Sequence, residues 1–234
     1  MTFAQSDAYD GPTVIYSNQF YFGANLSAQG LGISAYHGKY DDYRNISLKG
    51  IEYAKIKHVK EFKLPSNGGD NSRRFAYGKL NSFQTLRGFI SKKKLISDKL
   101  RKGALSIGLK YSFGASLGLL KPVYVEVVTA PGFTGGAVSI ERYDPEVHDF
   151  GVIVGRANFL HGLDEIKLEP GLCAKFSLLF EISGERDGIQ QVETGLSLDA
   201  FSRRVPIMEE GAKNNQFFAN LFLSYSLGKK YNKR

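Results

Sequence analysis

The stretch ALSIGLKYSFGASLGLL, residues 104–120, constrains the fold more than any other part of the chain. Leu105, Ile107, Leu109, Tyr111, Phe113, Ala115, Leu117 and Leu119 alternate with mostly small residues, Ser106, Gly108, Lys110, Ser112, Gly114, Ser116 and Gly118. A period of two belongs to a strand, whose successive side chains point to opposite faces, and not to a helix with its period of about 3.6. Strands of globular proteins run about 5 to 6 residues, whereas a tilted strand that crosses a bilayer needs about 9 to 11. The length therefore favours a membrane barrel. A solvated sheet face would carry Lys, Glu and Thr; Gly and Ser suit a crowded polar lumen, and the apolar face then meets lipid.

Other segments repeat the pattern. In NQFYFGANLSAQG, Phe20, Phe22, Ala24 and Leu26 oppose Tyr21, Gly23, Asn25 and Ser27, and Leu31, Ile33 and Ala35 begin a second run. GLCAKFSLLFEIS sets Leu172, Ala174, Phe176, Leu178, Phe180 and Ile182 against Cys173, Lys175, Ser177, Leu179 and Glu181; VETGLSL follows with Val192, Thr194, Leu196 and Leu198. NNQFFANLFLSYSLG closes the series, Phe217, Ala219, Leu221, Leu223, Tyr225 and Leu227 forming its apolar face. Two segments are less regular. ISLKGIEYAKIKHV (46–59) changes phase at Gly50, which predicts a bulge. Neither register of YGKLNSFQTLRGFI (77–90) separates polar from apolar residues, so its faces stay unassigned.

About eight strands result, beginning near residues 19, 31, 46, 76, 104, 170, 190 and 215. The connections 60–75, 121–169 and 202–214 are long, those after the second, fourth and sixth strands are shorter, and the first, 28–30, breaks the alternation by being short. Long loops outside and short turns in the periplasm are the habit of outer-membrane barrels, although a soluble up-and-down barrel can also have eight strands. The fifth connection holds β-prone PVYVEVV and the Asp-Pro turn of RYDPEVHDF, which predicts an ordered extracellular lid or partner-binding surface.

A chain of 234 residues suits one barrel domain. Its mean hydropathy of -0.24 resembles that of a soluble protein, but only alternate residues of a barrel face lipid, so the membrane is not excluded. MTFAQ, residues 1–5, reads as the end of an export signal. The expected organisation is a signal remnant and N-terminal segment over 1–17, the barrel over 18–228 and a basic tail over 229–234. An eight-stranded lumen is just wide enough to be filled by side chains. Lys110, Lys175, Glu181 and Glu193 fall on the inner faces, and buried charges persist only when paired, so ion pairs among them are expected.

The net charge of +8 raises nucleic-acid binding. Its distribution argues otherwise: the basic residues gather at Lys92, Lys93 and Lys94, at Lys99, Arg101 and Lys102, at Arg203 and Arg204, and in the tail, with no nucleic-acid motif. Flanking an apolar band, such residues meet solvent or lipid phosphates. The lone Cys173 permits no internal disulfide and no zinc spacing exists, so no metal or other cofactor is expected. His37, His58, His148 and His161 lie outside any HExxH pattern, GFTGG (132–136) lacks the Lys-Ser/Thr of a phosphate loop, and adjacent Asp41 and Asp42 read as turn residues.

The strings YFGANLSAQGLGI, YGKLNSF, SLGLLKPVYVEVV, RYDP, GLDEIKLEPGL and KNNQFF together resemble a family of uncharacterised outer-membrane barrel proteins of Bacteroidota. The resemblance implies an exported β-barrel of the outer membrane and brings no catalytic residues. The sequence thus predicts an all-β, closed, antiparallel up-and-down transmembrane barrel of about eight strands with long loops. It predicts a structural or interaction role and no enzyme. Outer-membrane lipids including lipopolysaccharide are the expected neighbours, with a protein partner at the loops and accessory service to a larger outer-membrane assembly as a further expectation. Two rivals differ in chemistry. A soluble periplasmic lipid-binding barrel would turn the Leu/Phe faces inward, and a lipid-processing hydrolase would need a serine beside His37 or His161.

Overall fold

The computed structural model describes residues 16–64, 73–97, 105–129, 137–182, 187–209, 211 and 214–232. Residues 1–5, Lys99, Arg101, Lys102 and the GFTGG segment lie outside the described residues. The strands in chain order are β1 (Asn18–Ser27), β2 (Gly30–Tyr40), β3 (Asn45–Ile56), β4 (Lys63–Leu64), β5 (Phe75–Ala76), β6 (Asn81–Ser97) and β7 (Ser106–Pro122). There follow β8 (Tyr124–Val128), β9 (Val138–Arg142), β10 (Ile153–Arg156), β11 (Lys167–Glu181), β12 (Gly188–Phe201) and β13 (Phe217–Tyr231).

Eight of them close a barrel in the order β1-β13-β12-β11-β7-β6-β3-β2, and every neighbouring pair is antiparallel. Chain order is therefore the order around the wall. The start of β1, the end of β13 and the strand ends at Tyr40, Asn45, Ser97, Ser106, Glu181 and Gly188 lie at one end of the barrel, here the turn end. The strand ends at Ser27, Gly30, Ile56, Asn81, Pro122, Lys167, Phe201 and Phe217 lie at the other, the loop end. The short first connection is a hairpin closed by the Ser27 hydroxyl donating to the Gly30 carbonyl at 3.0 Å. The sequence placed the end of the domain at residue 228, but β13 runs on through Lys229 and Lys230 to pair Tyr231 with Asn18.

The face containing Leu105 to Leu119 points out of the barrel, with Tyr111 51% and Phe113 63% exposed. Phe22, Ile33, Ile51, Leu86, Ile90, Phe176, Leu196, Leu221 and Leu223 are likewise large, outward and uncovered. On β13 the outward series runs from Phe217 to Leu227. Ten residue steps of about 3.4 Å, tilted by about 40°, span about 26 Å, matching the roughly 25 Å apolar band of transmembrane barrels. The Leu/Phe faces do not turn inward as the lipid-binding alternative requires: they are outside, and the inner faces carry Glu, Lys, Arg and Ser. Among the described residues no helix is long and apolar enough to cross a membrane.

Gly50 holds no bulge. Pairing runs without a shift through Tyr36↔Gly50 and Gly50↔Phe89. The phase change arises because Ile46 and Leu48 face inward at the turn end, whereas Ile51 and Tyr53 face outward to lipid. A Cβ on Gly50 would meet Tyr36 Cδ1 at 2.2 Å, so the glycine makes room for an inward ring. The register shift that the sheet does contain lies between Leu95 and Ser97.

Apolar side chains seal the loop end. Val205, Ile207 and Met208, from the connection 202–216, pack on Ile56, Phe83, Leu120, Phe201 and Phe218 in the mouth. Asn214 fixes that connection, accepting from the Ile207 and Met208 amides and donating to the Met208 carbonyl. Beyond the mouth, β10, β8 and β9 form a three-stranded sheet over a core of Phe75, Val125, Val127, Tyr143 and Ile153. The described parts of the long fifth connection therefore carry regular structure, and the Asp-Pro turn is present, with Asp144 Oδ1 accepting from the Glu146 amide.

Candidate functional site

The strand period builds the lumen site directly: alternate residues of β3, β6, β7, β11 and β12 converge on the axis. Lys110, Lys175, Glu181 and Glu193 all face the interior, and Lys110 is 0% exposed. Lys110 donates to Glu193 at 3.0 and 3.3 Å, and the Ser177 hydroxyl adds a bond to the same carboxylate at 2.7 Å. The other two take partners the sequence did not anticipate. Lys175 donates to Glu52 at 2.6 Å, and Glu181 receives Lys230 at 2.7 Å and Lys93 at 3.3 Å.

Arg87 is the centre of this network. Its Nε and one terminal nitrogen donate to the two oxygens of Asp199, both at 2.8 Å, and its other terminal nitrogen donates to Glu52 at 2.6 Å. Glu52 thereby joins Arg87 to Lys175. A planar guanidinium suits this fork because it presents parallel donors to a carboxylate. Aromatic rings of the wall complete the filling: Lys110 lies 3.7 Å from the Tyr36 ring centre, and Lys175 lies 4.0 Å from that of Phe222.

The sequence missed Glu52, Arg87, Lys93, Asp199 and Lys230. Glu52 follows the misread phase change, and Arg87 lies in the segment whose faces were unassigned. Lys93 was placed with the flanking basic residues, yet Lys92, Lys93 and Lys94 all belong to β6, where Lys93 is buried between exposed neighbours. Once β6 is fixed by Phe83 and Phe89 as inward residues, period two puts Arg87 and Lys93 inside; that signal was available.

Tyr21, 0% exposed, stacks on Tyr36 with ring centres 5.2 Å apart and helps fill the lumen. Cys173 is buried in the wall and is not paired. His37 lies on the outer wall with Nε2 3.0 Å from the Tyr231 hydroxyl, and His161 lies beside the Tyr124 ring. Among the described residues no serine hydroxyl bonds to either histidine, and no cluster of His, Cys, Asp and Glu could hold a metal. Asp41 and Asp42 are turn residues, accepting from Ser47 and Asn45.

Outside the membrane belt, the cap sheet has its own polar contacts. Ser139 at 2.7 Å and His148 at 3.2 Å donate to Glu141 and hold its carboxyl below the usual range. Tyr124 donates to Glu165, which with partial burial raises its pKa.

No family model matches the chain, and no curated protein matches it in sequence. Among solved structures, the chain is similar to Neisserial surface protein A (NspA), with a TM-score of 0.43 and 8% identity over 92% of this chain and 97% of that one. It is also similar to Ail, the attachment invasion locus protein of Yersinia pestis, in complex with the heparin analogue sucrose octasulfate (TM-score 0.43, 7% identity, 92% and 97% covered). A second structure of Ail matches with a TM-score of 0.41 and 7% identity, again over 92% and 97%.

Proposed function

We propose that this chain is a non-catalytic outer-membrane β-barrel that acts through its ordered loop end, as a structural or interaction protein and as an accessory to a larger outer-membrane assembly. The observation that carries the reading is the pairing of an uncovered apolar belt with a filled, ion-paired lumen. Such a wall needs lipid around it, and such a lumen transports no solute. What is left for recognition is the loop end, where the cap sheet presents β9 with mostly exposed side chains. The resemblance to barrel proteins of Bacteroidota supports the same residence, with lipopolysaccharide and other outer-membrane lipids as neighbours.

The test is fractionation of the protein expressed with an export leader, followed by comparison of gel mobility with and without boiling. Recovery in the outer membrane with heat-modifiable mobility is expected, and crosslinking from β9 then captures the loop partner. Recovery in the soluble periplasm overturns the reading.

A further inference from the structure

The outer wall changes character abruptly at the loop end of β3, β6 and β7. The outward pair Leu86↔Leu117 is followed by Gln84↔Leu119 and then by Ser82↔Lys121. Lys55 sits beside Gln84 on β3. Just above this border, the segment after β10 and the segment around β4 and β5 fold against the wall and enclose a small cleft. Its lining carries the cations Lys63, Arg74, Lys79, Lys121 and Arg156 and the carboxylate Glu61. Glu61 is taken by Lys79 at 2.6 Å. The other four cations have no carboxylate partner among the described residues.

Lys121 is the most telling of them. It is only 6% exposed, its ammonium lies 4.8 Å from the Phe159 ring centre, and it has no hydrogen-bond acceptor among the described residues. The Lys121 side chain is nearly covered while its ammonium opens into the cleft, where the neighbouring cations repel it and no carboxylate among the described residues offsets them. The cleft has room for the centres of two or three water-sized groups, about 30 Å³ where one water needs about 10–15 Å³, so oxygens of an oxyanion can enter it from its open side. Phe159 of the lining is 45% exposed, and Phe62, 74% exposed, and Leu160 follow lining residues along the chain. Cations beside exposed aromatic and aliphatic tips, at the edge of an apolar belt, match the headgroup layer of a membrane.

We propose that this cleft binds the phosphate group of a lipid in the leaflet at the loop end, with Lys121 and Arg156 as its principal ligands. The site rests on the membrane-barrel reading for its depth in the bilayer, and the tips of Phe62 and Phe159 insert beside the bound headgroup. Arg156 supplies planar donors for phosphate oxygens and Lys121 a point charge from the barrel side. Bound phosphate also relieves strain of an electrostatic kind at Lys79, whose pKa is pushed below its ordinary 10.5 by burial and by Lys55 and Arg156, with Glu61 opposing.

The probe is phosphatidic acid titrated onto the purified full chain in a maltoside detergent and read by native mass spectrometry, with diacylglycerol as the phosphate-free control. One retained phosphatidic acid per chain is expected, weakened at least tenfold in the Lys121→Gln, Arg156→Gln double variant and unchanged in Lys49→Gln, whose lysine lies on the outer face of β3 toward the turn end. Equal retention by the first variant, or equal retention of diacylglycerol, overturns the site. Displacement of the lipid by millimolar inorganic phosphate overturns the lipid as the source and assigns a soluble oxyanion. Heat-modifiable mobility of the same samples separates the two levels. Its presence with lipid binding lost to neither variant sinks only the cleft, and its absence in the wild type sinks the membrane barrel itself.

Discussion

Replacing Arg87 by methionine removes the residue on which the lumen network converges while keeping a side chain of similar reach. Three charge-assisted hydrogen bonds are lost, two to Asp199 and one to Glu52. At roughly 1.5–3 kcal/mol each they would sum to about 4.5–9 kcal/mol if every partner stayed charged and unpaired. Glu52 keeps Lys175, however, whereas Asp199, buried at 2% exposure, has no other partner among the described residues. One orphaned carboxylate can take up a proton, so the expected loss is the measured cost of breaking a buried pair, about 3–5 kcal/mol. With a urea slope near 2 kcal/mol per molar, the unfolding midpoint falls by about 2 M. The assay is the fraction migrating as folded barrel on an unboiled gel after equilibration in urea with lipid vesicles. Adding Asp199→Leu to Arg87→Met replaces the pair by apolar groups, and more than half of the loss should return. Ser112→Ala, which removes an inward hydroxyl lacking a protein partner, should move the midpoint by under about 0.5 M. A shift that small for Arg87→Met, or no recovery in the double variant, refutes the network as a determinant of stability.

Other perturbations probe the wall and the cap. Gly50→Val sets a side chain against the Tyr36 ring and should cost about 1–3 kcal/mol in the same assay; an unchanged midpoint would mean that the ring moves freely. Phe113→Arg introduces a charge on the lipid face and should cost about 2–4 kcal/mol in vesicles, while a neutral outcome would contradict the outward belt. Glu141 titrates below the ordinary 4.5, so the stability it contributes to the cap is present above that value and is lost as pH falls through the depressed one. Carbon-detected NMR should show the low midpoint, and Ser139→Ala should raise it; a midpoint at or above 4.5 in the wild type contradicts the contact.

Where one face of a strand is uniformly apolar and the other uniformly small or polar, as in β7, sequence alone identifies both faces. β3 and β6 defeat that reading for a physical reason. Their inward residues include Ile46, Leu48, Phe83 and Phe89, because the lumen is partly apolar near both ends, and their outward residues include Lys49, Gln84 and Lys92. A barrel is amphipathic through its middle and mixed at its borders, so strands short of outward apolar residues lose their contrast. The candidate pairs suffered in turn: Lys110 and Glu193 come from the clean strands β7 and β12, whereas the partners of Lys175 and Glu181 include residues of β3 and β6. The cleft beside Lys121 was not legible because its lining comes from four separate segments that adjoin only when the barrel closes and the cap folds down.

The buried charges also explain why the chain cannot settle with its faces reversed. A slip of one residue in strand pairing exchanges inner and outer faces. It would carry Arg87, Lys93, Lys110 and Lys175 into the belt and bring Phe113, Phe176 and Leu196 into a lumen with no room for them. At about 2–4 kcal/mol for each Arg or Lys near the bilayer midplane, and less for Lys93 at the border, Arg87, Lys110 and Lys175 would cost roughly 6–12 kcal/mol. That is as large as the whole stability of a typical domain, about 5–15 kcal/mol. In the native arrangement the same charges gain less than an apolar filling of equal volume could give. Their strongest effect is on the alternatives, since a lumen of Leu and Phe would leave both faces fit for lipid and the register weakly defined.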